Sequence, residues 1–230
     1  MDKKLYAVIL AAGEGRRMGS TTAKQYIEIG GKPILRHTVE KFLALDTPVE
    51  IILVLPPDNK APWKEYCERT GFLDRYIMVS GGITRFHSVK NAMKYIPDGA
   101  IVAVHDGVRP FITTRAIKKM LSMMDECEAL VPVVSPVETL RMVEDNGSSF
   151  TVDRSRYTMV QTPQMFRSET IKLAYSQPYE TRFTDDASVV EAAGRKVTLC
   201  EGSRLNIKIT TPEDLEMAEA ICAIQRQDRT

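Results

Sequence analysis

Three short stretches set small residues beside cations or a carboxylate, a combination that suits a phosphorylated ligand. The first runs from Ala11 to Gly19 as Ala-Ala-Gly-Glu-Gly-Arg-Arg-Met-Gly, with Lys24 five positions on. Small residues let backbone N–H groups approach a phosphate chain, and Arg16, Arg17 and Lys24 supply charge for a triphosphate. Neither common nucleotide fingerprint is present: Met18 stands where GxGxxG needs its third glycine, and no Gly-Lys-Ser/Thr closes a P-loop. The same residues also suit a plain glycine-rich connection with solvated basic side chains. The second stretch, Gly81-Gly82-Ile-Thr-Arg85-Phe-His-Ser88, has glycines for close approach and a serine that can meet a base edge or cap a helix. Its Phe86 is the aromatic side chain these loops offer for stacking, and His87, without a metal-binding partner at helical spacing, reads as a packed or surface histidine. In the third, His105-Asp106-Gly-Val-Arg109-Pro110, the carboxylate can hold ribose hydroxyls, Mg²⁺ or an acceptor, or can cap the next turn.

The hydrophobic pattern supplies the elements that must bring these stretches together. Apolar runs at Leu5 to Leu10, Glu50 to Leu55, Tyr76 to Val79, Ala100 to Val104 and Ala129 to Val134 read as strands buried on both faces. Between them, helical spacing predicts Ile34 to Leu45 behind Pro33, Lys60 to Gly71, Arg85 to Ile96 and Thr114 to Glu126. The alternation predicts a Rossmann-like, doubly wound, mainly parallel α/β sheet. Ligands bind such sheets outside the carboxyl ends of the strands, where all three stretches fall. Beyond Pro136 the pattern changes. Thr139 to Val143 and Phe150 to Arg154 flank Asp145-Asn146-Gly147-Ser148, a hairpin signal. A polar two-stranded hairpin is marginal alone, so residues 137–157 are expected to protrude as a β-hairpin arm lying on a partner subunit. A helix from Asp185 to Ala193, strands at Lys196 to Cys200 and Asn206 to Ile209, and a helix after Pro212 complete the expectation.

With 230 residues, 43% of them hydrophobic, the chain can bury one substantial core, and residues 1–230 are expected to form a single domain. Lys and Arg number 31 against 30 Asp and Glu, which gives no bulk charge to hold nucleic acid or a membrane surface. Cys67, Cys127, Cys200 and Cys222 are far apart and form no CxxC pair, which suits a reducing cytoplasm. The apolar stretch ending at Gly13 is short for a membrane span and lacks a cleavage region.

In their order along the chain, the motifs resemble those of the 2-C-methyl-D-erythritol 4-phosphate cytidylyltransferases of the non-mevalonate isoprenoid pathway. The resemblance spans nearly the whole sequence. It rests on Ala11 to Gly19, Lys24-Gln25, Gly81-Gly82 with Arg85 and Ser88, His105-Asp106 with Arg109-Pro110, and Thr151-Val-Asp-Arg154. Further along it rests on Gln161-Thr-Pro-Gln164, Thr184-Asp-Asp-Ala-Ser188, and Asn206-Ile-Lys208 before Thr211-Pro-Glu-Asp214. It implies transfer of CMP from CTP to the acceptor by a homodimer, giving 4-diphosphocytidyl-2-C-methyl-D-erythritol and pyrophosphate, with Mg²⁺ held mainly by the CTP phosphates. On the family pattern Arg17 and Lys24 match the pair that stabilises the transition state, and Arg154 and Lys208 the pair that positions the acceptor phosphate. Ala11, Ala12, Gly13, Gly82, Ser88, Asp106 and Gly107 fall where the family contacts CTP. Asp106, Arg109, Thr139, Arg154, Thr162, Thr184 and Lys208 fall near the acceptor. Ile83 stands where some relatives are acidic, which removes a ribose contact. A related branch that uses ribitol 5-phosphate shares most motifs, and Thr151 to Arg154 with Asp185 to Ser188 favour methylerythritol phosphate. A nucleotide-binding protein without chemistry would have no need of Arg154 and Lys208 to position a second phosphate.

Overall fold

The computed structural model describes residues 4–13, 24–72 and 75–227. β1 (Leu5–Leu10) is followed by a 3₁₀ turn at Lys24–Tyr26, the short antiparallel pair β2 (Glu28–Ile29) and β3 (Lys32–Pro33), and α1 (Ile34–Leu43). Pro33 sits directly before α1, where a missing N–H costs nothing. Next come β4 (Val49–Leu55) and α2 (Lys60–Thr70), which ends on Gly71 in the left-handed conformation, φ 57°. β5 (Ile77–Ser80), α3 (Arg85–Met93), β6 (Ile101–Asp106), α4 (Thr114–Met123) and β7 (Ala129–Val134) complete the alternating part.

After the arm strands β8 (Arg141–Val143) and β9 (Ser149–Thr151), the chain forms β10 (Met159–Val160), β11 (Gln164–Arg167) and α5 (Ser168–Ala174). α6 (Asp186–Ala192), β12 (Thr198–Glu201) and α7 (Pro212–Gln227) follow. Among the described residues the main sheet has eight strands, with β5, β4, β1 and β6 side by side and parallel. β11 lies antiparallel between β6 and β7, so the sheet is mainly rather than wholly parallel. From β1 the chain steps outward to β4 and β5, then crosses back to β6 on the other side of β1. That reversal opens a crevice beyond the carboxyl ends of β1 and β6.

Successive β1 residues serve opposite layers, as strand geometry requires. Leu5, Ala7 and Ile9 pack with Leu35, Val39 and Phe42 of α1. Tyr6 and Val8 pack with Val89 and Ala92 of α3 and with Ile171, Val189 and Val190. This double cover explains the unbroken apolar runs. No helix among the described residues is long and apolar enough to cross a membrane, and the four cysteines form no disulfide.

Three expectations need correcting. Asn206 to Ile209 is not a strand: the Asn206 backbone carbonyl accepts from Arg109 and its side-chain amide donates to the Thr162 carbonyl, so these bonds stand in for a ladder. The arm strands are shorter than expected, closing on a tight turn in which the Asn146 side chain accepts from the Ser148 N–H and Gly147 takes φ 83°. α1, α3 and α4 each stop two or three residues early, their ends tightening into turns such as Leu45 N–H to Phe42 O and Glu126 N–H to Met123 O.

Candidate active site

Leu10 and Asp106 are register partners, so the loops after β1 and β6 leave the sheet side by side. Their closeness explains two glycines. A Cβ on Gly107 would lie 3.0 Å from the Leu10 carbonyl and 3.1 Å from the Ala11 Cβ, and one on Gly81 would lie 2.5 Å from the Ala12 Cβ. Thus the β1 loop is packed against those after β5 and β6, while Gly13 faces open space. Ser88 does not cap α3; Thr84 does, accepting from the His87 N–H. Instead Ser88 Oγ accepts from the Gly82 N–H at 3.0 Å and donates to the Thr84 carbonyl, which pins the glycine loop. The Ala11 N–H is likewise committed, to the Val54 carbonyl at 2.9 Å. Phe86 is buried between Tyr175 and Phe183, so it does not offer a face to a base. His87 packs against Tyr179, and Ile83 is almost fully exposed.

Asp106 is the electrostatic centre. Its carboxylate lies 3.2 Å from Arg109 Nε and 3.1 Å from Lys208 Nζ. Burial works to raise its pKa, but Lys208, Arg85 and Arg109 outweigh that and hold the group well below the usual carboxylate range. Its backbone is fixed as firmly. The Asp106 N–H donates to Thr162 Oγ1 at 3.0 Å, Thr162 Oγ1 meets His105 Nδ1 at 3.0 Å, and His105 Nε2 meets the Arg109 carbonyl at 3.1 Å. A carbonyl only accepts, so Nε2 carries the proton and Nδ1 takes the Thr162 hydroxyl hydrogen. The ring is neutral, because complete burial pushes the His105 pKa down to about 4. One directed chain of hydrogen bonds therefore sets the loop that carries Asp106 and Arg109.

These groups open onto a cavity of about 440 Å³. Asp106, Arg109, Thr162, Thr184 and Lys208, all expected near an acceptor, line it together. Arg85, Gln164, Asp185, Ser188 and Glu191 also line it and were not among the expected site residues. Arg85, Gln164, Asp185 and Ser188 fall inside motifs that carry the family resemblance, which was the available signal. Gln164 braces the far wall, donating to Asp185 Oδ2 at 2.7 Å and accepting from the Ala187 N–H at 2.9 Å. Thr139 and Arg154 are exposed on the arm and do not line this cavity; the Arg154 guanidinium donates to the Val137 carbonyl. Lys24 opens the 3₁₀ turn, while its side chain and the whole of Arg17 lie outside the described residues.

A doubly wound sheet with small-residue loops, a carboxylate and several cations at its switch point is a Rossmann-like fold whose site suits a phosphorylated ligand. The family model for 2-C-methyl-D-erythritol 4-phosphate cytidylyltransferase (IspD) matches residues 5–224, and the chain belongs to that family. The chain is 49% identical to the 2-C-methyl-D-erythritol 4-phosphate cytidylyltransferase of Bacteroides thetaiotaomicron over 218 residues, 95% of this chain and 99% of that protein. It is 48% identical to the Phocaeicola vulgatus protein of the same name, over 94% of this chain and 98% of the relative. Its fold is similar to the crystal structure of 4-diphosphocytidyl-2C-methyl-D-erythritol synthase from Anaerococcus prevotii, with a TM-score of 0.81, 30% identity, and 95% and 96% of the two chains covered.

Proposed function

We propose that this protein transfers CMP from CTP to the phosphate of 2-C-methyl-D-erythritol 4-phosphate and releases pyrophosphate. The observation that carries the assignment of sites is the convergence of Asp106, Arg109, Thr162, Thr184 and Lys208 on one cavity at the switch point, beside the loops assigned to CTP. A phosphate monoester loses its second proton near pH 6, so at neutral pH the acceptor oxygen attacks the α-phosphorus as an anion. That P–O bond forms as the bond to the β-phosphate breaks, and pyrophosphate leaves with the electron pair. No general base is needed. What the protein supplies is placement of two anions in line.

Lys208, held by Asp106, and Arg154 position the acceptor phosphate in the cavity beside Arg109, and Arg17 and Lys24 meet the charge that develops on the departing pyrophosphate. Because the Asp106 carboxylate is turned to Lys208 and Arg109, Mg²⁺ would be held mainly by the CTP phosphates, where it would offset triphosphate charge. With the Ala11 and Gly82 N–H groups committed, a base edge would be read by their carbonyls, which suits the amino group of cytosine and repels the keto oxygen of uracil. Residues 137–157 form the dimerisation arm of a single nucleotidyltransferase domain, bringing Thr139 and Arg154 to the partner's cavity. Exposed Met142, Val143 and Phe150 support that role. Four cysteines outside any disulfide support a cytoplasmic setting.

Pyrophosphate release tests the reading. With CTP and Mg²⁺, 2-C-methyl-D-erythritol 4-phosphate should be consumed one for one with pyrophosphate, and ribitol 5-phosphate or UTP should each lower kcat/KM by at least about tenfold. No release with the methylerythritol acceptor, or faster release with ribitol 5-phosphate, would overturn it.

A further inference from the structure

The nucleotide loop leads into α3 and the acceptor loop leads into α6, and the first residues of these two helices are Arg85 and Asp186. They form a two-pronged ion pair, with Nη1 to Oδ1 at 2.8 Å and Nη2 to Oδ2 at 2.6 Å. The Tyr175 hydroxyl donates to the same Oδ1 at 2.6 Å, and its ring stacks on Phe86 at 4.7 Å. Asp186 is fully buried, while the Arg85 side chain keeps 28% of its surface exposed and lines the cavity with Asp106 and Lys208.

Stability is a poor reason for this arrangement. A buried ion pair gains little over apolar groups of similar volume, and a cation in the first turn of α3 opposes the helix dipole. A bidentate pair does fix distance and direction between two backbones. Both sides have anchors besides the pair, and they differ in what borders the cavity. α3 is held by buried Phe86, Val89, Ala92 and Met93, by Ser88 on Gly82, and by the Asn91 amide on the Ser80 carbonyl. The start of α6 is held by Gln164 on Asp185 and on the Ala187 N–H and by buried Val189 and Val190, while Thr184, two residues before Asp186, is exposed and borders the cavity.

We infer that Arg85, Asp186 and Tyr175 are positioning residues that set the acceptor loop Thr184 to Ser188 against the nucleotide loop Gly81 to Ser88. This rests on the proposed assignment of the cavity to the acceptor. Because Ser88 pins the glycine loop without the pair, loosening the pair shifts Thr184 at the cavity edge and leaves CTP in place.

The test uses the full chain with Arg85→Lys, Asp186→Asn and Tyr175→Phe, measuring kcat, the KM for each substrate, CTP Kd by calorimetry and Tm. Arg85→Lys and Asp186→Asn should raise the acceptor KM roughly tenfold and lower kcat, with CTP Kd changed by no more than about twofold. Tyr175→Phe keeps the ring stack and removes one hydrogen bond, so it should show the same split at roughly two- to threefold even if the charge variants fail to fold. A Tyr175→Phe enzyme whose two substrate constants move together, or that loses Tm with neither constant changed, would overturn the inference. Wild-type enzyme runs alongside: if it is inactive with the methylerythritol acceptor, the proposed function falls as well, whereas active wild type with unsplit constants contradicts only the role of the pair.

Discussion

Around Asp106, the carboxylate, the backbone N–H and the neighbouring imidazole each find a partner within the same chain, from segments as far away as Thr162 and Lys208. From Arg141 to Thr151 every residue is exposed, and the arm's own bonds run between its two strands and across its turn. Both regions carry residues matched to the same acceptor. The cavity is therefore organised by the folding of one chain, whereas Thr139 and Arg154 lie exposed and away from it. This contrast is physical: a buried polar network is costly unless satisfied, while an exposed hairpin rests on water until a surface covers it.

Two measurements sharpen the contrast, the larger first. Lys208→Ala and Arg154→Ala should each lower kcat/KM for the acceptor by on the order of 10² to 10³, with CTP affinity by calorimetry preserved in both. They should differ in the monomer. Lys208→Ala removes a partner from the buried Asp106 carboxylate and lowers Tm, while Arg154→Ala leaves intrinsic stability nearly unchanged. Equal kcat/KM with and without Arg154 would remove the arm from the site.

The second measurement is pH-dependent stability. His105 titrates near 6.5 when unfolded and near 4 when folded, so between these values the unfolded state binds the extra proton. Its contribution is complete above about pH 6.5 and lost as pH falls toward 4, on the order of 3 kcal/mol in all. Burial lowers the His37 pKa as well, so the difference between wild type and His105→Gln isolates His105. Denaturant unfolding should show a flatter dependence in His105→Gln over that window and an unaltered one in Arg154→Ala. Identical slopes in wild type and His105→Gln would contradict the neutral, directed chain at Thr162.

Much of the fold was legible because β1, β4 and β6 are covered on both faces, which leaves unbroken apolar runs in the sequence. β10 and β11 have two and four residues, too few to show a period, and went unread. Asn206 to Ile209 was misread because Ile207 and Ile209 alternate with polar residues as in a strand, while the groups that claim Asn206, Arg109 and Thr162, lie far back in the chain. The site was legible through spaced motifs more than through any single one. Arg85 and Asp186 cannot be read as site residues from sequence alone, because they meet across 101 positions and a charged residue opening a helix looks like solvated surface. Ser88 had two open readings, and its bonds to Gly82 and Thr84 add a third, a brace for the glycine loop.

Division of the acceptor site between one chain's cavity and another chain's arm is the claim most open to direct test. Lys208→Ala spoils the cavity and spares the arm; Thr139→Arg spoils the arm and spares the cavity. Each homodimer should be inactive. After subunit exchange, half of the dimers are mixed and each mixed dimer holds one intact site, so turnover should recover to about a quarter of wild type. Mixed dimers that form, as shown by native mass spectrometry, yet recover no turnover would contradict the divided site, as would a monomer by light scattering that is fully active.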